Sequence, residues 1–182
     1  EGKGLRRRER MQGFAVLRVP ILTRSRPNST VFFAIKYAEY FARTLQAALS
    51  WQADVYHAHN ANTLPVAAAA ARLRQALLLY DAHEFEAGRD WSKSNVPFLF
   101  RQLWTLPERI AIKSADAVIT VSDAIGDRLA QLYNISRPRL VRNVSENRAP
   151  SKPMDLASRL GLDDDTGLAV YQGNISRDRR LP

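Results

Sequence analysis

The 182-residue chain predicts an α/β fold, with a parallel sheet of about five strands, helices on both of its faces, and the opening of a second unit behind it. Three observations lead there. From Asp54 onward, short apolar runs alternate with stretches of helical periodicity. Polar residues collect directly after several of those runs, which is where parallel sheets hold their ligands. Hydrophobic residues make up 46% of the chain and charged residues 25%, a globular balance that disfavours wholesale disorder.

Taken in order, Gly13-Phe-Ala-Val-Leu17 is a short β-prone run that ends near Pro20, and Arg24 to Thr30 is a polar loop containing Pro27. Between Val31 and Trp51 the apolar residues Phe33, Tyr37, Tyr40, Phe41, Leu45 and Leu49 recur at helical spacing. Asp54 to His59 then reads as a strand. Thr63 to Gln75 reads as an alanine-rich helix with Pro65 in its first turn, where a missing N–H costs nothing. Leu77 to Asp81 is too short an apolar run for a helix and reads as a buried strand. After a polar loop to Asn95 come a helix (Phe98 to Ser114), a strand (Ala117 to Val121), a helix (Asp123 to Tyr133) and a strand (Leu140 to Val144). The rhythm then breaks. Ser145 to Pro153 is polar, carries Pro150 and Pro153, and reads as a linker. A short helix (Met154 to Leu160), an acidic turn and a new strand (Leu168 to Gln172) follow.

Composition narrows the function. The chain has no cysteine, which removes disulfides, thiolate metal sites and cysteine nucleophiles and suits a reducing compartment. No apolar run reaches the length of a membrane span, and the charged start, Glu1 to Arg10, lacks the apolar heart of a secretory signal. Since the first residue is Glu1, the chain is expected to come from the interior of a longer protein. The net charge of +9 is uneven, with ten basic and three acidic side chains in residues 1–53 alone. Such a first third attracts polyanions. No nucleic-acid recognition motif accompanies the charge, so nucleic acid is not an expected partner. A nucleotide P-loop, a Gly-x-Gly-x-x-Gly turn and a Gly-x-Ser-x-Gly elbow are all missing from the sequence.

Three strand ends deliver polar groups: His57 and His59 with Asn60, Asp81 with His83 and Glu84, and Ser122. His57 and His59 lie two apart on a strand and therefore share a face. A metal could use such neighbours, with Asp81 or Glu84 as an oxygen ligand. The spacing matches no specific zinc signature, and no metal is expected. The plainer alternative is that His57 is a packed, hydrogen-bonded core histidine. Asp163-Asp164-Asp165 reads as a solvated turn rather than a cation site. Tyr171 to Arg179 is a strand running into a basic turn, where free backbone N–H groups and the guanidinium of Arg179 suit a diphosphate.

Five stretches carry a resemblance: Asp54-Val-Tyr-His-Ala-His-Asn-Ala-Asn-Thr-Leu-Pro65, Tyr80-Asp-Ala-His-Glu84, Ala115-Asp-Ala-Val-Ile-Thr-Val-Ser122, Arg142-Asn-Val144 and Tyr171-Gln-Gly-Asn-Ile-Ser176. In this order and spacing the chain resembles the family-4-type glycosyltransferases of the GT-B fold. The resemblance implies two Rossmann-like domains facing across a cleft, the first for the acceptor and the second for a nucleotide-sugar donor. It implies a Rossmann-like acceptor-side domain at residues 1–145, a linker at 146–153, and the truncated beginning of the donor-side domain at 154–182. His83 matches the histidine at the acceptor-side edge of the cleft, where it would orient or polarise the site. His59, Asn60, Glu84, Ser122 and Asn143 are the further acceptor-side candidates, and Glu108 matches a glutamate with a structural role. Gly173, Asn174 and Arg179 match the turn and basic residue that hold the donor's phosphates.

Departures stand out: Asn60 sits where relatives often carry aspartate, and Asn174 and Arg180 occupy turn positions that are commonly glycine. The activity implied is transfer of a sugar from a nucleotide sugar to an unknown acceptor, with anomeric configuration retained, no required cofactor and no activity from this chain alone. The expected location is the cytoplasm, with the inner membrane face as a docking surface. The competing reading is a non-catalytic scaffold or membrane-peripheral module that binds anionic lipid through Arg6, Arg7, Arg8, Arg24 and Arg26.

Overall fold

The structure, a computed structural model, describes residues 5–27, 29–88, 98–144, 156–163 and 166–171. The chain divides into two compact units, Glu1–Asn143 and Val144–Pro182.

In the first unit, Arg8–Met11 (β1) and Phe14–Leu17 (β2) pair as an antiparallel hairpin. Gln12 and Gly13 make its turn with φ of 48° and 86°, and two left-handed residues in succession match the right-handed twist of the flanking strands. The Phe14–Leu17 strand therefore stays outside the main sheet. A 20-residue helix, Thr30–Leu49 (α1), follows. Then come Val55–His59 (β3), Leu64–Arg74 (α2), Leu77–Ala82 (β4), Phe98–Ala111 (α3), Ala117–Thr120 (β5), Asp123–Tyr133 (α4) and Arg139–Leu140 (β6). The four strands β3 to β6 form one parallel sheet in chain order. The expected sheet of about five strands is corrected to four among the described residues. The expected strand over Leu140 to Val144 is corrected too, because pairing with β5 ends at Leu140.

Alternation along the strands decides what is buried. Ala58, Leu78, Tyr80 and Ala82 face a core completed by Leu64 and Ala71 of α2, Ala111 and Ile112 at the end of α3, and Leu129 and Tyr133 of α4. Two left-handed residues stop the helices: Gln75 after α2 and Asn134 after α4, each donating its N–H back to a carbonyl of the last turn. The Asp116 carboxylate accepts the Leu78 N–H at 2.7 Å, while the Asp116 N–H donates to the Leu78 carbonyl. This exchange sets β4 against β5 and explains the aspartate of the Ala115-Asp-Ala segment. β3 is a rim of the sheet, bonded to β4 alone among the described residues.

One acid clamps the approach to α1. Glu39 accepts the Leu22 N–H at 2.7 Å, the Thr23 N–H at 2.8 Å and the Thr23 hydroxyl at 2.6 Å, and pairs with Arg43 one turn on. Led by the Thr23 hydroxyl and the Leu22 N–H, these bonds hold the carboxyl down from its ordinary 4.5 to about 2. A carboxyl lowered in the folded state contributes stability that is present above its ordinary value and lost as pH falls through the lowered one. Protection of the Leu22 and Thr23 amides from hydrogen exchange is therefore expected to hold at pH 5 and to disappear as pH approaches about 2. A Glu39 carboxyl titrating near 4.5 by carbon NMR would contradict it.

In the second unit, Leu156–Arg159 (α5) is helical within the helix expected over Met154 to Leu160, whose first two residues lie outside the described residues. The strand expected over Leu168 to Gln172 is corrected where it is described: 168–171 is irregular and exposed, and Gln172 lies outside the described residues. An apolar run becomes a strand only where a neighbouring ladder accepts its backbone groups, and no described segment of this unit supplies one.

Candidate functional site

Parallel pairing points every carboxyl end of β3 to β6 at the same margin of the sheet. The candidate residues follow one another along that margin: His59 ends β3, His83 follows β4, Ser122 lies two residues past β5, and Asn143 three past β6. This arrangement is the usual ligand-bearing edge of a parallel α/β sheet.

The centre of the margin is a group of three imidazoles around one carboxylate. Register places His57 opposite Leu79 and His59 opposite Asp81, so the inward positions Ala58 and Tyr80 bury while the histidines and Asp81 take the other face. Asp81 Oδ2 lies 2.9 Å from His83 Nε2, 3.2 Å from His59 Nδ1 and 3.7 Å from His57 Nε2. His59 Nδ1 and His83 Nε2 are 3.3 Å apart. The His57 and His59 rings lie with centroids 4.0 Å apart. Asp81 is nearly sealed, its side chain 12% exposed, whereas His57, His59 and His83 are 37%, 58% and 36% exposed. The reading of His57 as a packed core histidine is thereby corrected. It stands on the outward face of a rim strand, too open to be core. Desolvation, followed by the neighbouring His59, lowers its pKa.

Backbone chemistry holds the cluster in place. Asn60 adopts φ of 69°, a left-handed conformation that asparagine tolerates better than most residues, and turns the chain from β3 toward α2. Its N–H donates to the Asp81 carbonyl at 3.0 Å and its carbonyl accepts the Thr63 N–H and hydroxyl. Asn60 thus ties the two strand ends together through its main chain. On the next strand, the buried Thr120 hydroxyl donates to the Ala82 carbonyl at 2.8 Å, just before His83. Ser122 caps α4 by accepting the Ile125 N–H. Glu84 is exposed beyond His83, and Asn143 is exposed beyond the short β6 rather than within a strand. Gly173, Asn174 and Arg179 lie outside the described residues.

Beneath the cluster sits a buried polar clasp. Tyr80 donates to Glu108 Oε1 at 2.6 Å and Tyr133 to Glu108 Oε2 at 2.7 Å, joining β4, α3 and α4. Glu108 is 1% exposed, and burial raises its carboxyl pKa despite the two hydrogen bonds. Both tyrosine hydroxyls are pushed up, first by burial, and stay protonated donors. Tyr80 fixes β4 from the core side immediately before Asp81 faces the histidines.

Sequence reasoning left Asp81 out of the candidate list except as a possible oxygen ligand, although it is the hub. What reveals it is the parallel register of β3 with β4, which aligns Asp81 with His59.

Residues 1–143 match the model of the glycosyl transferase 4-like domain. The alpha-maltose-1-phosphate synthases of Mycobacterium tuberculosis, strains CDC 1551 / Oshkosh and ATCC 25618 / H37Rv, are each 28% identical to the chain over 135 residues. The match takes in 70% of this chain, and the chain spans 35% of each synthase.

Proposed function

Since the chain belongs to the glycosyl transferase 4-like domain family, we propose that it forms the acceptor side of an enzyme that moves a sugar from a nucleotide sugar to an acceptor hydroxyl. The observation that carries this reading is the placement of His59, Asp81 and His83 together at the carboxyl ends of β3 and β4. Two half-exposed imidazoles over a nearly sealed carboxylate can both give and take hydrogen bonds, which is what orienting a sugar hydroxyl requires. In this reading residues 1–145 are the acceptor-side domain, 146–153 the linker and 154–182 the beginning of the donor-side domain.

Cleavage of the donor puts negative charge on a departing diphosphate. Backbone N–H groups at Gly173 and Asn174 and the guanidinium of Arg179 supply fixed positive poles for that charge, with no cofactor required. Configuration at the anomeric carbon is retained, so the acceptor approaches on the face the diphosphate leaves. His83 orients the acceptor rather than serving as a free base.

A second reading has support from the hairpin. Arg8 and Arg10 lie on β1, and the exposed Met11 and Phe14 flank its turn, so a basic, apolar-tipped projection faces solvent. That surface suits an anionic membrane, with the acceptor lipid-linked or the module a scaffold. No described helix is long and apolar enough to cross a bilayer.

One experiment tests both readings: titration of a longer protein containing this chain with nucleoside diphosphate sugars, with and without anionic vesicles. The transfer reading expects saturable nucleotide-sugar binding that weakens at least about tenfold in Arg179→Ala. Vesicle binding with no nucleotide-sugar affinity, or an Arg179→Ala variant that binds undiminished, would overturn it.

A further inference from the structure

We propose that His59, Asp81 and His83, with His57 beside them, form a binding site for one divalent transition cation of the zinc type. The argument is geometric. His59 Nδ1, His83 Nε2 and Asp81 Oδ2 mark a triangle with edges of 2.9, 3.2 and 3.3 Å. A tetrahedral cation with nitrogen and oxygen ligands at about 2.0–2.1 Å requires ligand atoms about 3.3 Å apart. The fourth candidate, His57 Nε2, is 3.7 Å from the same carboxylate oxygen, and the ligand atoms of His57, His59 and Asp81 all lie within 4.8 Å of one another. All three histidines of the chain meet here.

Hydrogen bonding alone serves this arrangement poorly. Three ring nitrogens crowd one carboxylate oxygen that has two lone pairs, and two of those nitrogens face each other at 3.3 Å. A single cation replaces the competing protons and takes one lone pair from each of His59 Nδ1, His83 Nε2 and Asp81 Oδ2. The ligand set, imidazole with one carboxylate and no thiolate, selects zinc-like ions over calcium or magnesium, which take oxygen. The donors come from the ends of two hydrogen-bonded strands, so the site is positioned by the sheet. The open faces of the histidines leave the ion an approach from solvent.

The sequence offered these residues as possible ligands without a zinc signature, because they come from two strands, with Asp81 22 residues after His59. Filling it takes the Nε2 lone pair of His83. Cation and acceptor then exclude each other, a consequence that rests on the transfer reading, whereas cation binding itself does not.

The test is direct titration of the untagged 182-residue chain with Zn²⁺ by calorimetry and with Co²⁺ by visible absorption. The expected result is one ion per chain and the intense cobalt band of a tetrahedral site. Loss of that band, with affinity reduced by about tenfold or more, is expected in His59→Gln and in Asp81→Asn. His59 decides the matter if Asp81→Asn misfolds, because its exposed ring carries none of the core. No saturable uptake, or uptake unchanged in His59→Gln, overturns the proposal. Nucleotide-sugar titrations run in chelator stay independent of this outcome, so the two readings fail separately.

Discussion

Replacing Glu108 with alanine should cost about 3 kcal/mol of folding stability, measured by urea unfolding at neutral pH. The truncation strands two buried hydroxyls, Tyr80 and Tyr133, that each lose a bond of 2.6 or 2.7 Å, and it opens a cavity where three elements meet. Glu108→Gln should cost roughly 1 kcal/mol, because the amide oxygen still accepts one hydroxyl and its NH₂ donates to the other. The pH dependence has a definite sign. A carboxyl whose pKa is raised on folding stabilises the fold below its unfolded value, and that contribution is lost as pH rises through the folded one. The Gln variant should therefore unfold with a shallower pH slope above the ordinary glutamate range. A loss below about 1 kcal/mol in Glu108→Ala would show that the tyrosines find other partners and that the clasp is incidental.

The second large effect concerns turnover. In a longer protein with transfer activity, assayed in chelator, His83→Ala should lower kcat about a hundredfold while leaving donor affinity unchanged. His83 stands at the end of β4, 2.9 Å from a carboxylate that fixes its orientation. Asp81→Asn should give a smaller fall in kcat, since the amide oxygen still accepts from His83 while the charge is gone. If His83→Ala raised the donor KM and spared kcat, the histidine would belong to donor recognition and the acceptor-side assignment would be wrong.

The parts of the fold legible in the sequence are those where one face is buried. α2 and α4 and the strands β3, β4 and β5 come out within two residues, because Leu64, Leu78, Tyr80 and Leu129 recur with the spacing the core imposes. β1 went unread because Arg8 to Met11 show no alternation of apolar and polar residues; the ladder to β2 and the Arg18–Glu9 ion pair hold that strand. The opposite error occurred at Leu168, where a β-prone run lacks a described partner. At the site, residue types were legible and convergence was not. That Asp81 gathers His57, His59 and His83 depends on the register of β3 with β4, which no local pattern encodes. The placement of His57 on the rim strand of the described sheet was invisible for the same reason.

That rim has a practical corollary. Along the outer side of Val55–His59 the main chain offers alternating donors and acceptors to whatever arrives, and Val55 is exposed there. A second copy adding its own edge would extend the sheet laterally and bring another set of imidazoles alongside His57 and His59. Placing a charge on that edge, as in Val55→Lys, is the change expected to keep two such edges apart.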